Sequence, residues 1–205
     1  MMRWRRQDRE KGAALVEMAI VLPLLLILVF GIVEYGMLFR ERLTIAAATS
    51  SAARTGATMG KRDAADFRML QALEAGLYDQ VDSDVLISVD IFRADPNTGA
   101  KISDDVNTYA FDPINFPSCH WNPCPDPTSG SYYGFAGAGW IPSDRVTTLD
   151  AVGGGLDVLG IEVTYHHSDI TGFIPGVDRD LVERALIRLE PDVFELAPST
   201  TSTTT

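Results

Sequence analysis

The chain has 205 residues and a formal net charge of −11, enough length for one modest domain once an apolar N-terminal segment and a polar tail are set aside. The first twelve residues hold Arg3, Arg5, Arg6, Arg9 and Lys11 against Asp8 and Glu10, a local charge of +3 that leaves −14 on the remainder. An acidic surface of that size repels phosphate backbones, and with no Lys/Arg cluster after Arg42 it argues against a nucleic-acid partner.

Beyond this basic leader, residues 13–39 carry only Glu17 and Glu34 as charged side chains, and the sixteen residues Met18 to Val33 carry none. At 1.5 Å per residue the longer segment makes a helix of roughly 40 Å, sufficient to cross a hydrocarbon layer of about 30 Å. The basic leader orients it with residues 1–12 in the cytoplasm and the acidic bulk outside, weakly opposed by Arg40 and Arg42. A cleaved secretory signal is the competing reading, with the small residues Ala46 to Ala53 offering a cleavage site, but the apolar core is longer than such signals use. Glu17 inside an apolar helix is costly and calls for a partner; the plainer alternative is a glutamate snorkelling to the headgroups. Pro23 removes one backbone donor and is expected to kink the helix.

The order Lys11, Gly12, Ala13, Ala14, Leu15, Val16, Glu17 resembles the type IV prepilin layout, a glycine closing a charged leader and a glutamate five positions beyond it. The longer run Gly12-Ala-Ala-Leu-Val-Glu-Met-Ala-Ile-Val-Leu-Pro-Leu-Leu-Leu, continuing to Gly31-Ile-Val-Glu-Tyr-Gly, is similar to the TadE-like minor pilins or pseudopilins of the Tad (Flp) pilus machinery. Met18 stands where many Flp-type pilins have tyrosine, and Arg184 to Pro191 resembles the short segment that closes such ectodomains. The resemblance implies a prepilin peptidase that cuts between Gly12 and Ala13, an anchor kept in the mature protein, and assembly with other pilin subunits and Tad components in the cytoplasmic membrane. It also implies a role for Glu17 in pairing with a freed Ala13 amine.

The helical pattern continues through Leu43, Ile45 and the alanine run to about Gly56, predicting a stalk over 40–60 whose small residues suit close helix packing or a subunit contact. Asp63 reads as an N-cap for a second helix carrying Phe67, Leu70, Leu73 and Leu77, with a break at Gly76. Val85, Ile87, Val89 and Ile91 alternate with polar residues as a strand does, and a turn at Asp95 to Gly99 leads to a return through Val106 to Phe111. The spacing of Asp95, Asn97 and Gly99 faintly resembles a calcium loop but lacks its glutamate, so a plain turn is expected and no cofactor.

Residues 112–145 are rich in Pro, Gly and aromatics, among them Trp121, Tyr132, Tyr133, Phe135 and Trp140, and predict an irregular segment. The rings either pin it to its own domain or stack against a sugar or protein. Cys119 and Cys124 suit one small disulfide outside the cytoplasm; zinc would need two more ligands and only His120 is local. A strand is expected from Leu156 to His167, with Leu159, Ile161, Val163 and Tyr165 on one face, while Arg179 to Leu189 reads as helix or strand.

No enzyme motif emerges. His166, His167, Ser168 and Asp169 adjoin in sequence, but strand neighbours point to opposite faces, and Gly153 to Gly155 lack the strand-then-helix setting of a phosphate loop. The expectation is a non-enzymatic α+β protein: a cytoplasmic leader (1–12), a transmembrane helix (13–39) continuing as a stalk (40–60), an extracytoplasmic domain (61–197) with an antiparallel sheet packed against helix, and a disordered Ser/Thr tail (198–205). A single-span adhesin or binding module that enters no filament fits the same elements.

Overall fold

In the computed structural model the described residues are 4–78, 81, 85–126, 139–148, 155–169, 172, 176 and 178–191. They form α1 (Trp4–Met59), α2 (Ala65–Leu77), β1 (Leu86–Ala94), β2 (Lys101–Phe111), the two-residue β3 (Trp121–Asn122), a 3₁₀ turn at Pro142–Asp144, β4 (Val158–His167) and β5 (Arg179–Arg188). The expected class is observed: a long N-terminal helix, then a small domain with a five-stranded antiparallel sheet against a second helix. By internal contacts the chain divides into two compact units, Met1–Glu41 with His167–Arg179, and Arg42–His166 with Asp180–Thr205.

In the first unit α1 shows apolar side chains around its whole circumference; Leu15, Ile20, Leu24 and Ile32 are each about two-thirds exposed or more. A helix apolar on every side has no face for water, and from Ala14 onward this one is long and apolar enough to cross a membrane. Pro23 lies inside α1, and the helix continues past it.

The second unit holds the core. Ile45, Ala48, Ala52 and Ala53 of α1 meet Met69, Leu70, Leu73 and Leu77 of α2, and both helices cover Val89 and Ile91 of β1 and Leu159, Ile161, Val163 and Tyr165 of β4. Ala48, Ala52 and Ala53 of the alanine run therefore pack inside their own domain, while Ala47, Ser50 and Ser51 are exposed. A Cβ on Gly76 would lie 2.8 Å from Ala48 Cβ and 3.0 Å from its Cα, so the helices touch there with no room for a side chain. Gly76 is thus a packing point in the last turn of α2, which ends at Leu77, one residue past the expected break. Gly56 is equally enclosed, its added Cβ falling 2.9 Å from Leu159 Cδ2 and closer to Met69 Sδ.

Asp63 is not the N-cap of α2. Ala64 holds that position, because Gly60 at φ +55° and the bonds Arg62 N–H to Met59 C=O and Ala65 N–H to Arg62 C=O carry the chain from α1 into α2 as one tight turn.

The sheet order is β3-β2-β1-β4-β5. In β1 the expected alternation fails at Ile87, which is 40% exposed, beside an irregularity in the pairing with β4 between Leu86 and Ser88, whereas Val89 and Ile91 are buried as expected. The turn to β2 is built by Asp95, whose Oδ1 accepts the N–H groups of Asn97 and Thr98 at 2.9 and 2.8 Å, while Gly99 takes φ +70°. These bonds, the backbone N–H of Thr98 first, hold the Asp95 carboxyl below its ordinary range. β2 begins at Lys101, earlier than expected, and the ambiguous Arg179–Leu189 segment is the strand β5.

Candidate functional site

Gly12 and Ala13 lie within α1, so the backbone at the expected processing site is helical. Glu17 is exposed one turn further on, at the i+4 position from Ala13, and so shares its face of the helix. Glu34, at the far end of the charge-free run, is the reverse: only 1% of it is exposed. Seven residues beyond it Glu41 pairs through Oε2 with Nδ1 of the buried His167, the last residue of β4.

Cys119 and Cys124 are joined in a disulfide with Cα atoms 6.0 Å apart. The bridge closes a ring around His120 and Trp121 whose side chains both return to α2: the Trp121 indole N–H donates to Glu74 Oε1, and His120 Nδ1 lies 2.9 Å from Glu74 Oε2. Trp121 is thereby buried, edge-on to Phe111 at 5.1 Å between centroids. Trp140 is buried as well, so both described tryptophans of the irregular segment pin it to its own domain. Tyr132, Tyr133 and Phe135 lie outside the described residues.

Trp140 belongs to a polar cluster that sequence reasoning missed. Asp66 faces inward from the first turn of α2; its Oδ2 accepts Asn107 Nδ2–H at 2.8 Å and Tyr109 O–H at 2.7 Å, and its Oδ1 accepts from Arg145 Nη2. Asn107 also binds both backbone groups of Trp140, and the Arg145 guanidinium lies 4.7 Å over the Trp140 ring. Charges so deeply buried persist only when paired and hydrogen-bonded. One signal for this was available: Asp66 stands at helical spacing from Met69, Leu70 and Leu73, a carboxylate on an apolar face.

The opposite face of the sheet is a charged ladder around one ring. Phe92 lies over Gly160, where an added Cβ would come within 2.8 Å of Phe92 Cε1, and Lys101 and Arg184 lie 5.2 and 5.4 Å from the ring centroid. Lys101 Nζ is 2.6 Å from both Asp90 Oδ2 and Glu162 Oε1, and Arg184 Nε is 2.7 Å from Glu162 Oε2. Burial disfavours the charged carboxylate of Glu162, but the hydrogen bonds from Lys101 and Arg184 outweigh it and lower its pKa. Lys101 shows the mirror effect: burial opposes its charge, and its two carboxylate partners raise its pKa nonetheless.

His166 and His167 go to different partners, His166 Nδ1 to Asp180 Oδ1 at 2.8 Å and His167 to Glu41. The segment Gly153 to Gly155 is described only at Gly155. No curated protein and no solved structure matches the chain. Residues 12–54, running from Gly12 to the alanine-rich part of α1, match the family model described as TadE-like protein.

Proposed function

We propose that the protein is a membrane-anchored, non-enzymatic structural component of a Tad (Flp) pilus assembly or secretion system, a minor pilin or pseudopilin with its domain outside the cytoplasm. The observation that carries this reading is a coincidence of position. The TadE-like match over residues 12–54 falls on the one helix, among the described residues, that is long and apolar enough to cross a membrane.

The chemistry follows from the leader outward. Five basic side chains hold residues 1–12 on the cytoplasmic side, and a prepilin peptidase there cuts between Gly12 and Ala13. Such an enzyme must take its substrate extended, which requires α1 to unwind locally; a glycine costs a helix interior about 1 kcal/mol relative to alanine, so Gly12 eases that opening. Cutting there leaves the apolar helix in the membrane and exposes the Ala13 α-amine, which is mostly protonated near neutral pH. Glu17 is one turn away on the same face, within reach of its own amine or that of a neighbouring subunit, and the pair offsets the cost of a carboxylate at membrane depth.

The test compares leader removal and partner co-purification in cells that express the Tad machinery. Gly12→Leu is expected to keep the leader. Glu17→Gln and Glu17→Val are expected to be cut and inserted but to co-purify poorly with pilus subunits. Assembly of both Glu17 variants at the parent's level refutes the amine pairing, and a parent that keeps Met1 to Gly12 and associates with no pilus component supports a solitary binding module instead.

A further inference from the structure

The direction of α1 defines the two ends of the second unit, which it enters at Arg42. It runs opposite to α2, with Ala48 against Gly76 and Gly56 against Met69. It runs with β5, since Arg42 pairs with Glu183 and the Ala57 carbonyl accepts the Glu190 N–H. Strand directions alternate across the antiparallel sheet, so β4 and β2 end, and β1 starts, where β5 starts. The end at which α1 enters therefore gathers the C-terminus of α2, the start of β1 and the turn that follows β2.

Exposed apolar side chains concentrate at this end. Tyr78, one residue past α2, is 84% exposed, and Ile114, in the turn after β2, is 89% exposed. The other large apolar side chains exposed on this unit outside α1, among the described residues, are open only to between 40 and 50%. Single exposed apolar residues are ordinary on a protein surface; the two most exposed lying at one end is the observation to explain.

The turn that carries Ile114 is fixed from both sides. The Asp112 N–H donates to the His120 carbonyl, the Phe116 N–H to the Asp112 carbonyl, and the Cys119–Cys124 bridge closes the chain just beyond. A side chain held out by a fixed turn loses little freedom on binding. The nearby carboxylates are occupied within the domain: Asp112 accepts from Asn115, and Glu74, one turn before Tyr78 on α2, holds Trp121 and His120. An anionic phosphate meets less repulsion there than elsewhere on this acidic chain.

Arg42 follows the apolar segment 13–39 by three residues, about 5 Å of helix, and the headgroup layer on each side of a bilayer is about 5–7 Å deep. We propose that this end of the domain docks on the outer surface of the bilayer that α1 spans, with Ile114 and Tyr78 entering the headgroup layer. The proposal rests on the anchored reading given above. Aromatic and aliphatic side chains of this kind favour the interface, where an apolar body is covered and the Tyr78 hydroxyl stays wet.

The experiment uses the full chain carrying Ile114→Cys, labelled with an environment-sensitive fluorophore and reconstituted into phosphatidylcholine vesicles with or without lipid bearing a shallow nitroxide. Cys119 and Cys124 are bridged and take no label. Tyr78→Cys is the second probe, and Asn97→Cys, exposed in the β1–β2 turn at the opposite end of the same unit, is the control. On protein that floats with the vesicles, blue-shifted emission and quenching several-fold stronger than at the control are expected from both probes. Emission and quenching equal to the control on floated protein overturn the docking while leaving the anchor intact. Blue-shifted emission that the nitroxide does not quench overturns it as well, for the cover is then a second protein surface and not lipid. Protein that does not float overturns the anchored reading, and the docking with it.

Discussion

Replacing Asp66 by alanine breaks a buried ion pair of the domain from one side. The carboxylate is 2% exposed and is the anionic partner of Arg145, whose side chain is fully buried. Its loss leaves a buried guanidinium whose remaining contact among the described residues is the face of Trp140, and breaking a buried pair from one side typically costs about 3–5 kcal/mol. For a domain of this size each kcal/mol moves the melting temperature by about 2–4 °C, so the variant should melt roughly 6–20 °C below the parent. Urea unfolding of the full chain in detergent micelles, followed by tryptophan fluorescence, reads the effect, because Trp140 and Trp121 are both buried in the fold. The double variant Asp66→Leu with Arg145→Met removes both charges and should recover about 2 kcal/mol or more of the summed single losses, since an apolar pair of similar volume often replaces a buried ion pair at little cost. An Asp66→Ala loss below about 1 kcal/mol, or a double variant that merely adds the two single losses, would refute the reasoning.

Other outcomes follow from the ring and the ladder. Cys119→Ser with Cys124→Ser should cost about 2 kcal/mol, the loop-closure contribution of so short a ring, and native exported protein should show no alkylatable thiol without reductant; two reactive thiols would contradict the bridge. Glu162 has a lowered pKa in the fold, so its contribution to stability is present above its unfolded value near 4.5 and is lost as pH falls through the lower folded value. Lys101 has a raised pKa, so its contribution is present below its unfolded value near 10.5 and is lost as pH rises through the folded value. Unfolding midpoints measured across pH should fall on both sides, and Glu162→Gln should flatten the acid limb; an acid limb identical to the parent's would remove Glu162 from the account.

The parts of the fold legible in the sequence are those where solvent alone dictates composition. α1 is readable because a helix long and apolar enough to cross a membrane shows a long charge-free run, and β4 because a half-buried strand alternates with period two. Ile87, by contrast, obeys the alternation in sequence and violates it in space, since the pairing irregularity beside it depends on β4, whose paired residues Thr164 and Tyr165 lie far along the chain. Asp63 carried a local signal for a cap that tertiary packing overrode, since the turn from α1 supplied its own bonds, whereas the stop read at Gly76 lies one residue before the end of α2, where the glycine also leaves room for Ala48. β5 stayed ambiguous because Leu181, Ala185 and Ile187 are only half-buried at the edge of the sheet, which weakens the alternation that marks a strand. The Asp66 cluster could not be assembled by reading along the chain, for its partners Asn107 and Arg145 lie 41 and 79 residues away.

The claim on which the account turns is that α1 holds the folded domain outside the cytoplasm, and protease added to intact spheroplasts of cells expressing the full chain tests it most directly. The account predicts digestion of the domain, leaving a small membrane-embedded fragment that contains α1. Complete protection of the chain in intact spheroplasts, with digestion only after lysis, would contradict it.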